Sequence, residues 1–295
     1  MASVLQLSTI QPDFDQIRSQ LESYLSSKDS WKGTLTTQTG QTILELVAAV
    51  GALDQEKLIR FYEDAFPTTA LNDDAVYAIA TMQGLRLTRK LPANLQATLQ
   101  TTTGTATIPA YSQFQGGGTF WFNRSAFTVT TTPVTVSLWQ GLVVDNLLEG
   151  TGTDYQMFIS PEDSFQVSNT DVLVRVNDVP VERTVDGLWK LKGQSGYRDR
   201  TLPNGALVVE FGNSVYGSKP QVNDTVRITY AVTSGSSANA LPLTGKRIAY
   251  DADPNVICTG MAPPSGGADE QNAAVYKNVA VATFGDFGSS ITKQQ

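Results

Sequence analysis

The chain of 295 residues contains no histidine and a single cysteine, Cys258. Without histidine there is no Ser-His-Asp triad, no Cys-His pair, no H-E-x-x-H site and no imidazole-liganded zinc. With one cysteine there is no disulfide within the chain and no thiolate metal cluster, which fits a reducing compartment or indifference to redox state. Charge is also scarce. Charged residues make up 17% of the chain, and 28 acids outnumber 21 bases for a net charge of −7. Such a chain is a poor general partner for nucleic acid or an anionic membrane, since both need a positive field. No apolar run approaches the length of a membrane span. The start, MASVLQLSTIQPDF, lacks a basic stretch and a long apolar run, so no signal peptide is read.

What is present favours β-structure behind a helical start. Hydrophobic residues make up 41% of the chain, and turn formers interrupt short apolar runs. Residues 1–92 read as helical. Pro12-Asp13 opens a helix over Phe14 to Leu25, with Phe14, Ile17, Leu21, Tyr24 and Leu25 on one face, and Trp31-Lys32-Gly33 breaks it. Thr39 or Thr42 caps a longer helix to about Phe66, where Pro67 stops it. Asn72 or Asp73 caps a third helix through Met82, which Gly84 ends. From Leu95 to Tyr230 short β-runs dominate: Phe120 to Phe122, Phe127 to Thr131, Val134 to Trp139, Tyr155 to Ile159, Val172 to Val176 and Leu207 to Phe211. The expected fold class is α+β: an N-terminal helical region, then β-rich antiparallel domains, then a short C-terminal α/β segment. The expected divisions are 1–92, a first β-subdomain at 93–150, a second at 151–245 with Gly150-Thr-Gly152 between them, and a turn-rich segment at 246–295 that is a candidate shortened third domain.

The long helix is unusually apolar. Ile43, Leu44, Leu46, Val47, Ala48 and Val50 cover nearly its whole circumference, and Leu58, Ile59, Phe61, Tyr62 and Phe66 follow. A helix that apolar needs burial from several sides. Ile43, Leu44, Leu46, Val47, Val50, Leu58 and Phe61 are therefore a candidate interface. In the alternative, Phe14 to Leu25 and Ala75 to Met82 cover this helix and close a three-helix domain.

Val208 to Asn239 reads as two strands joined by a glycine-rich turn. Gly212 and Gly217 bracket the reversal with Pro220, and Val226, Ile228 and Tyr230 alternate in the second strand. The run FGNSVYGSKPQVNDTVRITYAVTSGSSAN resembles the F-G-(D/N)-G-x-x-G-x-x-P-x-x-G-D-x-V-x-I-x-Y segment of baseplate J-like wedge proteins, which build the baseplates of contractile phage tails and related injection machines. Ser214 and Asn223 stand where that family usually has glycine. A second likeness covers Tyr77, Ala78, Ala80 and Gly84, then Lys90, Pro92 and Ala93, then Ile108-Pro109-Ala110, Gly118 and Trp121 or Phe122. It is similar to the family's passage from helix to β-domain. A third, SGGADEQNAAVYKNVA with FGSSITKQQ, resembles its G-G-A-D-E segment. Together they span about residue 75 onward. Each motif alone is mostly turn chemistry, and their order and separation carry the likeness.

The remaining chemistry is carboxylate, lysine, serine or tyrosine chemistry. Paired acids occur at Glu162-Asp163, Asp251 with Asp253, and Asp269-Glu270. Glycoside hydrolysis needs two carboxylates facing one bond, whereas neighbouring acids in Pro-, Ser- and Gly-rich loops are usually solvated. Asp251-x-Asp253 offers Ca²⁺ two oxygen ligands but lacks an EF-hand pattern. Gly212 to Lys219 imitates a phosphate loop with its Ser and Lys in the wrong order, and Gly150-Thr-Gly152 lacks the third glycine of a dinucleotide site. Gly116-Gly117-Gly118 reads as a turn. No catalytic residue, cofactor or metal is expected. The run Trp189, Lys190, Lys192, Tyr197, Arg198 and Arg200 reads as a lysine-guarded sheet edge, although aromatics among bases also stack on nucleotides.

The resemblance implies a non-enzymatic virion protein: a baseplate wedge subunit, assembled in the host cytoplasm, that oligomerises into the ring around the tail hub. The partners it implies are a second copy, other wedge proteins and, indirectly, hub and sheath, with neither nucleic acid nor membrane. The rival reading is a carbohydrate-binding or glycan-cleaving tail protein using Trp121, Trp139 or Trp189 and the paired acids.

Overall fold

The computed structural model describes residues 14–31, 33–162, 164–184 and 187–292. Pro12-Asp13, Lys32 and Asp163, each part of an expectation above, lie outside them. The chain is α+β and divides into two compact units, Met1–Ile79 with Lys277–Gln295, and Ala80–Tyr276.

The first unit is helical. α1 (Phe14–Ser26) packs along α2 (Gln38–Asp64), and Arg18 of α1 reaches Gln41 Oε1 at 3.1 Å and Glu45 at 3.7 Å. The cap of α2 is Thr37 rather than Thr39 or Thr42. Thr37 has an extended backbone, and its Oγ1 accepts from Gly40 N at 3.1 Å, while Thr42 lies inside the helix. The helix stops at Asp64, just before the predicted Phe66. The Asp64 carboxylate accepts from the Leu71 and Asn72 amides at 3.1 and 3.2 Å, tying down the turn that follows. α3 (Asp73–Met82) starts as expected, with Asn72 Oδ1 accepting from Asp74 N. α4 (Ala273–Thr292) closes the described chain, and Lys277 Nζ donates to Ala70 O at 2.8 Å.

The second unit is built on two sheets. The chain first lays down β1 (Asn94–Thr101), β2 (Ala106–Ile108), β3 (Gln113–Gly116), β4 (Thr119–Phe122), β5 (Phe127–Val129) and β6 (Val134–Gln140). It then makes β7 (Leu142–Glu149), β8 (Met157–Ile159), β9 (Val167–Val176), β10 (Val179–Thr184), β11 (Gly196–Thr201), β12 (Leu207–Glu210) and β13 (Thr225–Val232), followed by β14 (Arg247–Ile248) and β15 (Val256–Gly260). One sheet runs β14-β15-β1-β6-β4-β3, the other β7-β13-β9-β10-β11-β12-β8, and β2 pairs with β5 alone. Pairing is antiparallel except between β10 and β11.

Each sheet has its own core, as period-two burial dictates. Leu95, Leu99, Phe114, Trp121, Leu138, Ile248 and Cys258 fill the first. Burial pushes the Cys258 thiol up to about 12, so it packs as a small apolar group. Val174, Tyr197, Leu207, Val209, Ile228 and Tyr230 fill the second. Arg124 joins the two sheets: its Nε donates to Asp171 Oδ1 at 2.6 Å while its guanidinium lies 4.3 Å from the Trp139 ring centroid.

Three expectations change. The sheets divide at Gly141, not at Gly150-Thr-Gly152, because β7 pairs along its whole length with β13. Gly150 instead allows two loops to touch, since a Cβ there would stand 2.1 Å from Gln221 O. The strands of the Val208 to Asn239 run are not a hairpin, for β9, β10 and β11 lie between β12 and β13. β13 is buried along most of its length and needs a partner on each side, which β7 and β9 supply. Finally, Tyr197, Arg198 and Arg200 sit on interior strand β11, flanked by β10 and β12, not on a sheet edge, and Trp189 and Lys190 sit on a short 3-10 turn at Leu188–Leu191. Residues 247–260 return as β14 and β15 to the first sheet before α4 begins.

Candidate functional site

The largest exposed apolar feature named from the sequence lies on α2. Gly40, Leu44 and Ala48, spaced by four, form its buried seam. Leu44 is 2% exposed, so it belongs to the core of the helical unit and leaves the candidate interface. The other six candidates, Ile43, Leu46, Val47, Val50, Leu58 and Phe61, are all exposed, with Leu46 at 65% and Phe61 at 70%. At 100° per residue, Ile43, Leu46, Val47, Val50 and Phe61 fall on one stripe beside the buried seam. Over 27 residues the helix runs roughly 40 Å at 1.5 Å per residue. The stripe is interrupted midway by the Asp54–Lys57 ion pair at 3.7 Å, and Arg60–Glu56 at 2.6 Å flanks it. Leu53, Tyr62 and Phe66 are exposed as well and extend the apolar surface. Leu53 continues the spacing of Ile43, Leu46 and Val50, a signal already present in the sequence.

The turn residues sit together. Gly217 holds φ +80°, and a Cβ there would lie 2.9 Å from Gly196 O. Gly212 does not take a positive φ. It is required for a different reason: a Cβ would meet Tyr216 O at 1.5 Å. Pro220 is buried and its carbonyl accepts from Gly152 N at 3.2 Å. Asp224 closes the loop by accepting from Gln221 N and Asn177 Nδ2, both at 2.7 Å, and these bonds hold its carboxyl below the usual range.

Glu162, Asp253 and Asp269 each accept hydrogen bonds from other groups of the chain. Glu162 Oε2 accepts from Tyr230 OH at 2.5 Å, and burial together with that carboxylate pushes the Tyr230 phenol up. Asp253 Oδ1 accepts from Asn255 N at 3.0 Å as a local turn. Asp269 takes the hydroxyl and the amide of Ser236, which lower its carboxyl, and Glu270 lies 3.9 Å from Lys90. No cluster of three or more His, Cys, Asp or Glu with metal-site geometry occurs among the described residues. Among those residues no helix is long and apolar enough to cross a membrane. Of the tryptophans proposed for a glycan, Trp121 is fully buried with Nε1 donating to Gly116 O at 3.1 Å, Trp139 lies under Arg124, and only Trp189 is open.

One constellation was not legible in the sequence. Asp199 is buried and accepts from Arg183 at 2.6 Å and Arg89 at 2.7 Å, with Arg86 at 3.5 Å. Burial alone would raise Asp199, but the Arg183 hydrogen bond and the charges of Arg89 and Arg183 outweigh it and hold the carboxyl low. Burial in turn pulls the Arg89 guanidinium down. Period two along Tyr197-Arg198-Asp199-Arg200 puts the aspartate on the Tyr197 face, and that was the available signal.

No protein-family model matches the chain, and no curated protein matches it.

Proposed function

We propose that the chain is a structural subunit of a contractile-tail baseplate, a wedge component that associates through the exposed stripe of α2. The carrying observation is that stripe: five large apolar side chains, with Leu58 beside them, presented to solvent along one helix that already has a separate buried seam. Exposed apolar surface on this scale, on either side of the Asp54–Lys57 pair, marks interfaces. The ordered likeness of residues 75 onward to wedge proteins supports the reading, as do the capture of the paired acids by local hydrogen bonds and the lack of histidine. In this reading the protein is non-catalytic. Its partners are a second copy and other wedge proteins, with hub and sheath beyond them, in the virion.

Light scattering of Val47→Asp tests the proposal. The variant is expected to keep its β-sheet circular dichroism while losing self-association or pull-down of a wedge partner. A wild-type chain that stays monomeric at high concentration and joins no baseplate protein would overturn it.

A further inference from the structure

Five arginines and two carboxylates surround β11. Asp199 meets Arg86, Arg89 and Arg183, while Glu210 of β12 lies 3.7 Å from both Arg198 and Arg200, leaving an excess of three positive charges in a chain of net charge −7. The five fall into two classes. Arg89 and Arg183 bond Asp199 at 2.7 and 2.6 Å and are committed to it. Arg86, Arg198 and Arg200 sit 3.5 to 3.7 Å from their carboxylates. A charge-assisted N–H···O bond is about 2.7–2.9 Å, so these three forks are not saturated. All three are partly exposed.

The same three line one cavity of about 430 Å³, together with Gly187, Trp189 and Lys190. The parallel pairing of β10 with β11 covers only Gly196 to Arg198. Asp199 and Thr201 line the same cavity, so residues from both faces of β11 contribute to it, and the Asp199 carboxylate is already neutralised by Arg89 and Arg183. Trp189 is 68% exposed at the rim, with its ring edge against Gly187, where a Cβ would lie 2.3 Å away. A planar guanidinium fork matches phosphate bidentately, and an exposed indole stacks on flat rings. The volume suits a small molecule, within the roughly 300–1,000 Å³ of ligand pockets.

We propose that this cavity binds a small phosphate ester carrying a flat ring, its phosphoryl oxygens held by Arg86, Arg198 and Arg200 and its ring laid on Trp189. The site is independent of the α2 stripe and of the assembly reading. Adenosine 5′-diphosphate serves as the probe, titrated into the full chain and followed by calorimetry and tryptophan fluorescence, with adenosine and inorganic phosphate in parallel. The diphosphate is expected to bind saturably, with Arg200→Gln about tenfold weaker for the loss of one charge-assisted contact, Trp189→Ala weaker for the loss of stacking, and adenosine, which lacks the phosphoryl groups, weaker than either. Arg227→Gln, on β13, should change nothing. Melting curves establish that each variant is folded. No saturation below about 10 mM, equal binding of adenosine, or equal binding by the Arg198→Gln/Arg200→Gln double variant would each overturn the proposal. Tighter binding of a glutamate-rich peptide than of the diphosphate would overturn it too, assigning the cavity to an acidic segment of a partner protein.

Discussion

Ser214 and Asn223, nine residues apart in the loop between β12 and β13, both hold left-handed backbone, with φ of 70° and 68°. Neither position is glycine. Both residues hold the conformation that glycine favours. Asparagine tolerates that region better than serine does.

Placing glycine at the costlier position should therefore help. Ser214→Gly is expected to stabilise the chain by about 1 kcal/mol, the left-handed penalty less glycine's extra unfolded entropy. Urea melts of variant and parent read the difference. A loss of stability would mean that the serine side chain makes a contact worth more than the strain.

Gly217 carries the opposite risk. Its φ of +80° and the nearby Gly196 carbonyl leave no room for a branched side chain. Gly217→Val should cost about 1–3 kcal/mol and lower the melting temperature of the β-unit. An unchanged melting temperature would show that the loop re-forms around the valine at no cost.

Asp199 is the counter-charge of a buried arginine, and its removal strands that charge. Asp199→Asn should destabilise by about 3–5 kcal/mol, the usual result of breaking a buried pair from one side. Because the folded carboxyl is held below its ordinary value, its stabilisation is fully present above the unfolded value near pH 4. It is lost as pH falls through the lower folded value. Urea melts at pH 7 and at about pH 2.5 should show the gap between parent and variant closing at the acid end. A gap that stays constant would place the cost elsewhere than in charge.

Leu44 and Leu46, two residues apart on α2, should respond in opposite ways. Leu44→Ala empties a core position and should cost about 2–5 kcal/mol in the helical unit even in a dilute monomer. Leu46→Asp should leave monomer stability within about 0.5 kcal/mol and abolish association. Sedimentation and thermal melts separate the two. A destabilised Leu46→Asp monomer would mean that the stripe packs within the chain.

Local signals were legible where local physics decides. The spacing of Phe14, Ile17, Leu21 and Leu25 and the Asn72 cap located α1 and α3, because helix bonds close within four residues. A cluster of β-formers located β12 and apolar alternation located β13, one at a time. Their neighbours were not legible, since a local pattern shows that a strand needs two partners without naming them. Arg86 and Arg89 carried no local signal because their partner, Asp199, lies 110 and more positions away. Six of the seven residues named on α2 are exposed, and Leu44 was counted with them because one helix does not encode which of its faces the neighbours cover.

The return of β15 to β1 has a consequence for synthesis. Thr101 pairs with Val256, about 155 residues later in the chain. At roughly 5–20 residues per second, the ribosome delivers that partner about 10–30 s after β1 emerges. Strands β7 to β13 are complete about 1–5 s earlier, so the seven-stranded sheet can close while β1, paired only with β6, still has an open edge along Ala97 and Leu99. An unpaired apolar edge of that duration recruits other nascent chains. Yield in a recombinant host should therefore depend on translation speed and on holding chaperones more than on the stability of the finished protein. Synonymous codons that slow residues 233–256 would prolong the hazard without changing a single atom of the product.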